Sequence, residues 1–252
     1  METKKISAVI LAGGKDDTLQ TLLGISYWAL APIKDKPMIQ YVIEATKGSG
    51  IEDIIIVGEW TPESGEYQGC RTLKGFERHV DNVEVGLRAA KEKTVLILAG
   101  DIPAITVEVI QDFLKKASIT SAVYFPISLI FDCELKFPEM KRTSLGLREG
   151  TVTAGNIFLV PKDLFLGKLW KIRPLLENKK SKIKLAWQFG LVISLLTLIS
   201  IKTGIRLLSL ETLEKRASQM LGIPVRAIWA DPSIASDIDT IEQYEMFISN
   251  NL

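Results

Sequence analysis

Two adjacent glycines follow an apolar run near the beginning of the sequence, in the segment LAGGK at residues 11–15. Because Gly13 and Gly14 carry no side chain, their backbone can approach a ligand closely and offer amide donors to a phosphate or to the edge of a base. Lys15 adds a positive charge. The spacing is neither that of a GxGxxG dinucleotide site nor that of a P-loop ending in GK[ST]. A tight turn without a ligand is the alternative interpretation.

A carboxylate follows a second apolar run. The segment GDIP places Asp101 directly after Gly100, behind the apolar residues 95–99. Carboxylate oxygens suit Mg²⁺, which proteins usually hold through one or two carboxylates together with substrate phosphates. Asp101 is therefore a candidate metal ligand. The alternatives are that Asp101 caps a following helix or that Pro103 makes a turn.

Two further acids, Asp237 and Asp239, are separated by one residue near the C-terminus. In an extended segment their side chains point the same way, so that one of them could join Asp101 at a metal ion. Capping of the following helix by Asp239 or Thr240 explains the pattern almost as well.

The alternation of apolar runs with helical periodicity predicts an α/β fold with a mainly parallel sheet flanked by helices. Strands are predicted at residues 6–12, 51–57, 94–99, 122–128, 155–160 and 225–229, and helices at residues 38–46, 83–90, 106–116 and 241–248. Asp81 and Asn82 are the predicted caps of the helix at 83–90. Ligands of such sheets bind beyond the carboxyl ends of the strands, and this rule indicates Gly13 and Gly100.

A mainly helical insert is predicted at residues 168–221, and it contains a strongly apolar segment at residues 185–201 with lysines before it. The segment has 17 residues, whereas a transmembrane helix usually needs about 20. We interpret it as a buried or partner-facing helix, which makes a homo-oligomer plausible. Contact with a membrane surface is the alternative, because the flanks are basic. We expect residues 1–252 to form a single domain.

The overall composition argues against several classes of protein. Lys+Arg number 31 and Asp+Glu 30, and the net charge of +1 gives no global field that would attract nucleic acid. Cys70 and Cys133 form no CxxC motif, which argues against a zinc site. His79 is interpreted as a surface or loop residue and Trp60 as a packing residue. The N-terminus has no signal-peptide pattern, so we expect a cytoplasmic protein.

Six segments taken in order resemble the MobA-like nucleotidyltransferases: LAGGK, ALAPIKDKPMIQYVIEA, DNVEVGLRAA, VLILAGDIP, TAGNIFLV and SDIDTIEQYEMF. The resemblance covers nearly the whole length of the chain. It implies a Rossmann-like fold of the GT-A type. It also implies attack of a substrate phosphate on the α-phosphorus of a nucleoside triphosphate, with release of pyrophosphate and assistance from Mg²⁺.

The motifs and the resemblance together assign candidate roles to individual residues. The candidate nucleotide-binding residues are Leu11, Ala12, Gly13, Gly14, Lys15, Asn82 and Gly100. By resemblance, residues 11–14 would hold the base and ribose, and Asn82 would lie near the base. Asp101 and Asp239 would bind the metal, with Asp237 next in rank.

The chain departs from the family where the family usually has cations. The loop after the glycines reads KDDTLQ, and Trp28 stands at the position of a family lysine. A neutral indole cannot neutralise triphosphate charge, and the loss of one such donor often costs about 3 kcal/mol of transition-state stabilisation. Lys15, Lys34 and Lys36 are candidate substitutes. Lys15, Lys36 and Asp101 are therefore the candidate catalytic residues.

Three functions remain, in order of preference. The first is a magnesium-dependent nucleotidyltransferase acting on a nucleoside triphosphate and a small phosphorylated acceptor. The second is a catalytically impaired relative that binds a nucleotide or sugar nucleotide for regulation or assembly, which Trp28 favours. The third is a metal-dependent glycosyltransferase, ranked last because Asp237 and Asp239 lie late in the chain.

Overall fold

The computed structural model describes residues 5–15, 17–62, 64–117, 121–138, 140, 142–171, 173 and 207–249. Its strands are β1 (Ile6–Leu11), β2 (Pro32–Ile33), β3 (Lys36–Pro37), β4 (Asp53–Gly58), β5 (Glu66–Tyr67), β6 (Cys70–Lys74), β7 (Thr94–Ala99), β8 (Val123–Leu129), β9 (Leu145–Leu147), β10 (Gly150–Ala154), β11 (Ile157–Pro161) and β12 (Val225–Trp229). Its helices are α1 (Asp17–Leu23), α2 (Met38–Gly48), α3 (His79–Ala89), α4 (Val107–Lys116), α5 (Ile130–Lys136), α6 (Lys162–Leu166), α7 (Leu210–Leu221) and α8 (Ile241–Ser249).

The main sheet has the strand order β5-β6-β4-β1-β7-β11-β8-β10-β9, and β12 pairs with β8. Strands β6, β4, β1 and β7 are mutually parallel, whereas β11 runs antiparallel to both of its neighbours. This mainly parallel sheet with flanking helices confirms the predicted fold class. Leu11 pairs with Val57 on one side and with Ala99 on the other. The carboxyl ends of β4, β1 and β7 are therefore level, and the residues that follow them meet at one edge.

Helices cover both faces of β1, which explains its continuous apolar run. Ala8 and Ile10 are buried with residues of α2 and α4, while Val9 is buried with residues of α3, α6 and α7. Helix α3 lies so close to the sheet that an ideal Cβ on Gly86 would be 2.4 Å from Cγ1 of Val9. This contact fixes α3, and with it the side chains of its first turn.

A buried cluster, separate from those on the two faces of β1, joins the loop after β1 to the C-terminal helix. Trp28 and Met38 pack there with Ile238 and Tyr244. The hydroxyl of Tyr244 also donates to the carbonyl of Pro32 across 2.5 Å. The segment that contains the Asp237 and Asp239 pair is thus attached to the loop that follows the glycines.

The predicted bounds agree with the observed ones to within two residues for the sheet strands that were predicted and for α2, α4 and α8. Helix α3 is different, because it begins at His79. The prediction that Asp81 and Asn82 precede and cap this helix is wrong. Both residues lie in its first turn, where Asp81 pairs with Arg78 at 2.7 Å and Asn82 binds the backbone of Phe76.

The predicted helical insert is described only in part. Helix α7 is capped by Ser209, whose side chain accepts from the N–H of Thr212, and ends at Gly222, which adopts a left-handed φ of 70°. Residues 185–201 lie outside the described residues. Within the described ranges, no helix has the length and apolar character needed to cross a membrane.

At the opposite edge of the sheet, the carboxylate of Asp53 gathers three donors. Oδ2 accepts from the hydroxyl of Ser7 at 2.5 Å and from the N–H of Lys91 at 2.9 Å, and Oδ1 accepts from Arg71 at 2.6 Å. Burial alone would raise the pKa of Asp53, but these hydrogen bonds and the charge of Arg71 hold it below its ordinary value. The carboxylate therefore ties β1, β4 and β6 to the end of α3.

We expect Asp53→Asn to lower the free energy of unfolding by about 1–3 kcal/mol near neutral pH, because three donors lose a charged acceptor. Since the pKa of Asp53 is depressed in the folded state, its contribution is complete above the unfolded-state pKa of about 4. The contribution is lost as the pH falls through the lower folded-state value. Urea unfolding at decreasing pH should show a weaker pH dependence in the variant.

Asp112→Asn is the matched control. Asp112 pairs with Lys116 on the exposed side of α4, where both side chains are nearly half exposed, and such surface pairs contribute little stability. Equal losses of stability in the two variants would contradict the role assigned to Asp53.

Candidate active site

The diglycine turn, Gly13 and Gly14, lies between the side chains that the sequence singled out. An ideal Cβ on Gly14 would be 3.8 Å from Cδ1 of Trp28 and 3.9 Å from Oδ2 of Asp101. An ideal Cβ on Gly13 would be 3.3 Å from Nδ2 of Asn82. The structure thus brings the turn, Asp101 and Asn82 together at the level edge of the sheet.

The rim is defined here as residues at the carboxyl ends of the three level strands or shortly after them. Several of their carbonyl groups accept hydrogen bonds from protein donors. The rim consists of Leu11, Ala12, Gly13, Gly14, Gly58, Gly100 and Asp101. The donor and acceptor pairs are Gly100 N to Leu11 O at 2.8 Å, Trp60 Nε1 to Ala12 O at 2.6 Å, Trp28 N to Gly14 O at 3.0 Å and Gly75 N to Gly58 O at 3.0 Å. The carbonyl groups of Leu11, Ala12, Gly14 and Gly58 are therefore already paired within the protein.

The amide groups of the turn differ from these carbonyls. In the described part of the chain, the N–H groups of Gly13 and Gly14 donate to no protein acceptor. Both residues are partly exposed, so that a ligand can reach them. Open N–H donors on a glycine turn are suited to a phosphate or to a carbonyl oxygen of a base.

Asn82 organises the loop beside the turn. Its Oδ1 accepts from the N–H of Phe76 at 2.6 Å and its Nδ2 donates to the carbonyl of Phe76 at 2.9 Å. The side chain is buried, with 4% of the residue exposed. Asn82 therefore lies beside the turn, and its amide is engaged in holding the loop before α3.

The two late acids lie next to Asp101. The N–H of Ile238, which separates them, donates to the carbonyl of Asp101 at 3.0 Å. Asp237 Oδ1 accepts from Nδ2 of Asn156 at 2.8 Å. Asp239 is exposed. Asp101 thus lies near Gly14, and its backbone contacts the segment that carries Asp237 and Asp239.

Asp239 does not cap helix α8 with its side chain. Thr240 Oγ1 accepts from the N–H of Gln243 at 3.3 Å, and Gln243 Oε1 accepts in return from the N–H groups of Asp239 and Thr240 at 2.8 and 3.1 Å. This reciprocal arrangement is a capping box. Capping thus accounts for Thr240, whereas the carboxylate of Asp239 interacts with that of Asp237.

Electrostatics make the Asp237 and Asp239 pair receptive to a cation. Burial raises the pKa of Asp237, the charge of Asp239 raises it further, and the hydrogen bond from Asn156 acts in the opposite direction. A divalent ion would relieve this repulsion. Across the described residues, no three His, Cys, Asp or Glu side chains form a ready metal-binding group. Asp101, Asp237 and Asp239 therefore form no ready metal site by themselves, and a Mg²⁺ ion bound here would complete its shell with water and phosphate oxygens.

The three lysines expected at the site have different surroundings in the structure. Lys15 is exposed and forms an antiparallel bridge with Tyr27. Lys36 binds Glu44 at 2.5 Å and lies 4.3 Å from the ring centroid of Tyr41. Both partners belong to α2, so the structure directs Lys36 along this helix. Lys34 adopts a φ of 56° in the turn between β2 and β3.

Trp28, which stands where the resemblance predicts a lysine, places an apolar side chain beside Gly14. It is 4% exposed, and its ring lies 6.4 Å from that of Tyr244. Only its edge reaches Gly14. Trp28 therefore forms part of the wall of the site and of the hydrophobic core behind it.

Sequence reasoning missed Arg142. Its Nε donates to the carbonyl of Ala235 at 2.8 Å and its Nη1 to that of Met140 at 3.0 Å. Burial lowers the pKa of Arg142, whereas the nearby charge of Asp237 acts in the opposite direction. A half-buried cation therefore lies within electrostatic range of the acid pair. The irregular sequence around it has no periodicity that could have indicated this position.

We expect Asp239→Asn to lower the pKa of Asp237, because the repulsion between the two carboxylates is removed. A raised folded-state pKa means that ionisation of Asp237 costs stability above the unfolded-state value of about 4. The variant should therefore also be more stable at neutral pH. Carbon-13 NMR titration of the carboxyl groups measures the pKa, and thermal unfolding measures the stability.

Asp163→Asn, which changes an exposed acid on α6, is the control and should alter neither quantity. A pKa of Asp237 that stays the same in Asp239→Asn would show that the two carboxylates do not interact.

Comparison with known proteins places these features in a family. The sequence profile of the MobA-like NTP transferase domain matches residues 8–128. A solved structure described as a hypothetical transferase from Thermus thermophilus is 33% identical, with a TM-score of 0.81, over 95% of this chain and 99% of that chain. The 2-C-methyl-D-erythritol 4-phosphate cytidylyltransferase of Thermus thermophilus is 11% identical, with a TM-score of 0.57, over 98% of each chain. This second likeness shows the fold alone.

A curated relative matches over a shorter region. The bifunctional protein GlmU of Staphylococcus epidermidis is 27% identical over 122 residues, which are 46% of this chain and 26% of GlmU. The chain thus matches about a quarter of the length of that relative. Taken with the Thermus thermophilus transferase that is 33% identical, the profile match shows that the chain belongs to the MobA-like NTP transferase family.

Proposed function

We propose that this protein transfers a nucleoside monophosphate from a nucleoside triphosphate to a small phosphorylated acceptor and releases pyrophosphate. The observation that carries the proposal is the position of Gly14, which with Gly13 has an open N–H group, beside the carboxylate of Asp101. The backbone of Asp101 in turn contacts Ile238, between Asp237 and Asp239. Donors for phosphate oxygens and carboxylates for a metal ion are both needed for nucleotidyl transfer.

The rim would bind the nucleotide. Residues 11–14 and Gly100 would contact the nucleotide, and Asn82 would hold the adjoining loop. Lys15, which follows the turn, would supply a positive charge. Asp101 and Asp239 would hold Mg²⁺, with Asp237 next to them. The bound ion would neutralise charge on the phosphate oxygens.

The reaction proposed for this site is a displacement at the α-phosphorus. An oxygen of the acceptor phosphate forms a bond to that phosphorus, while the bond to the oxygen bridging to the β-phosphate breaks and pyrophosphate leaves. The turn would orient the nucleotide through its amide donors. Lys36 could contribute only if it released Glu44, so that its catalytic role and that of Lys15 remain predictions.

A second function is favoured by one observation, the burial of Trp28 in the core cluster. Without a cation at this position, the chain could bind a nucleotide or sugar nucleotide and not turn it over, in a regulatory or assembly role. A cytoplasmic location, self-association and membrane-surface contact through residues 185–201 also remain predictions.

Activity can be tested by measuring pyrophosphate release with each nucleoside triphosphate, Mg²⁺ and a panel of small phosphorylated acceptors. We expect release by the wild type and a loss of about 10²–10³-fold in Asp101→Asn, because charge stabilisation at the phosphates is lost. Asp132→Asn, an exposed acid on α5, should retain full activity. Nucleotide binding by the wild type without release with any acceptor would support the second function.

The Gly14→Ala substitution is expected to weaken nucleotide binding while leaving the stability of the fold nearly unchanged. The added methyl would meet Trp28 and Asp101 at 3.8 and 3.9 Å, which is ordinary contact, so stability should change by no more than about 0.5 kcal/mol. The same methyl would stand where the ligand approaches the turn, and nucleotide affinity should fall at least about tenfold. Gly146→Ala, which meets no atom within 4 Å, is the control. Unchanged affinity in Gly14→Ala, measured by calorimetry, would contradict binding at the turn.

A further inference from the structure

Trp60 reaches from the end of β4 to the backbone of the neighbouring strand. Its indole N–H donates to the carbonyl of Ala12 at 2.6 Å. An ideal Cβ on Gly58 would lie 2.9 Å from both this oxygen and the indole nitrogen. The hydrogen bond therefore depends on the absence of a side chain at residue 58.

The indole is also held from a second direction. Its ring meets that of Tyr67 edge to face, with centroids 5.3 Å apart and an interplanar angle of 85°. Such aromatic contacts stabilise one orientation of the ring. Trp60 is thus a fixed part of the rim, in addition to the packing role predicted for it.

The acceptors on the β4 side of the rim are occupied. Trp60 occupies the Ala12 carbonyl, and the Gly58 carbonyl accepts from the N–H of Gly75 at 3.0 Å and from the hydroxyl of Thr61 at 2.9 Å. The groups of the adjoining turn that remain open as donors are the amides of Gly13 and Gly14. The β4 side of the rim therefore withholds the Ala12 and Gly58 carbonyls, while the adjoining turn offers two amide donors.

Bases differ in what they present to such a surface. Guanine and uracil present a carbonyl oxygen where adenine and cytosine present an amino group. A donor surface pairs with the carbonyl oxygen and leaves the amino group without a partner, which costs affinity. We propose that Trp60 is a specificity-determining residue that makes the site select nucleotides with keto bases, an inference that rests on the proposed nucleotide site.

Trp60→Phe tests this proposal, because it keeps an aromatic ring against Tyr67 and removes only the N–H donor. Calorimetric binding of UTP, GTP, CTP and ATP in the presence of Mg²⁺ should show that the wild type binds UTP and GTP more tightly. In the variant, the freed Ala12 carbonyl can accept from an amino group. The preference for UTP and GTP over CTP and ATP should then fall about 3–10-fold, the effect of one hydrogen bond.

Two further variants complete the experiment. Trp229→Phe changes a partly exposed tryptophan on β12 and should leave the order of affinities unchanged. Trp60→Met removes the same donor while keeping apolar volume, and it replaces Trp60→Phe if thermal unfolding shows that the latter does not fold.

The outcomes separate this inference from the proposed function. Equal affinity of the wild type for all four nucleotides, or an equal change for all four in Trp60→Phe, would overturn the role of Trp60 and leave the nucleotide site intact. Failure of the wild type to bind any nucleotide would overturn both.

Discussion

The hydrogen bonds that occupy the carbonyl groups of Leu11, Ala12 and Gly14 determine what the rest of the site can do. Because the strand ends are level, the N–H of Gly100 reaches the carbonyl of Leu11. The Trp60 indole donates to the carbonyl of Ala12, and the N–H of Trp28 donates to that of Gly14. Backbone groups must be paired or solvated. These carbonyl groups are paired within the protein, whereas the N–H groups of Gly13 and Gly14 face solvent. The fold thereby presents a local positive surface in a chain whose net charge is only +1.

The carboxylates beside this surface create an opposing charge. Asp237 and Asp239 repel each other, and the fold keeps them close through the backbone contact of Ile238 with Asp101 and the hydrogen bond from Asn156. Such an arrangement reduces stability unless a cation is bound. Donors for anions and a pair of acids for a cation are consistent with a complex in which metal and phosphates bind together. Trp28, at the position where the resemblance predicts a lysine, is buried in the core cluster with Tyr244.

Much of the sheet could be predicted, since β1 and β7 are buried on both faces and their apolar runs end where the strands end. The edge of the sheet that carries the candidate site followed from the alternation of strands and helices along the chain. The hairpins β5–β6 and β9–β10 are short, and their pairing depends on contacts that periodicity does not report. The start of α3 was misplaced because Asn82, a frequent capping residue, binds Phe76 from inside the first turn. Trp60 and Arg142 act through partners 48 and 93 residues away, which no local pattern shows.

The central claim is that the amides of Gly13 and Gly14 receive the nucleotide. Nitrogen-15 NMR spectra recorded during titration with a nucleoside triphosphate and Mg²⁺ test it directly, because each backbone amide is observed separately. The account predicts that the largest shifts occur at these two glycines and at Asp101. Saturable binding that leaves both glycine amides unshifted while other regions respond would contradict it.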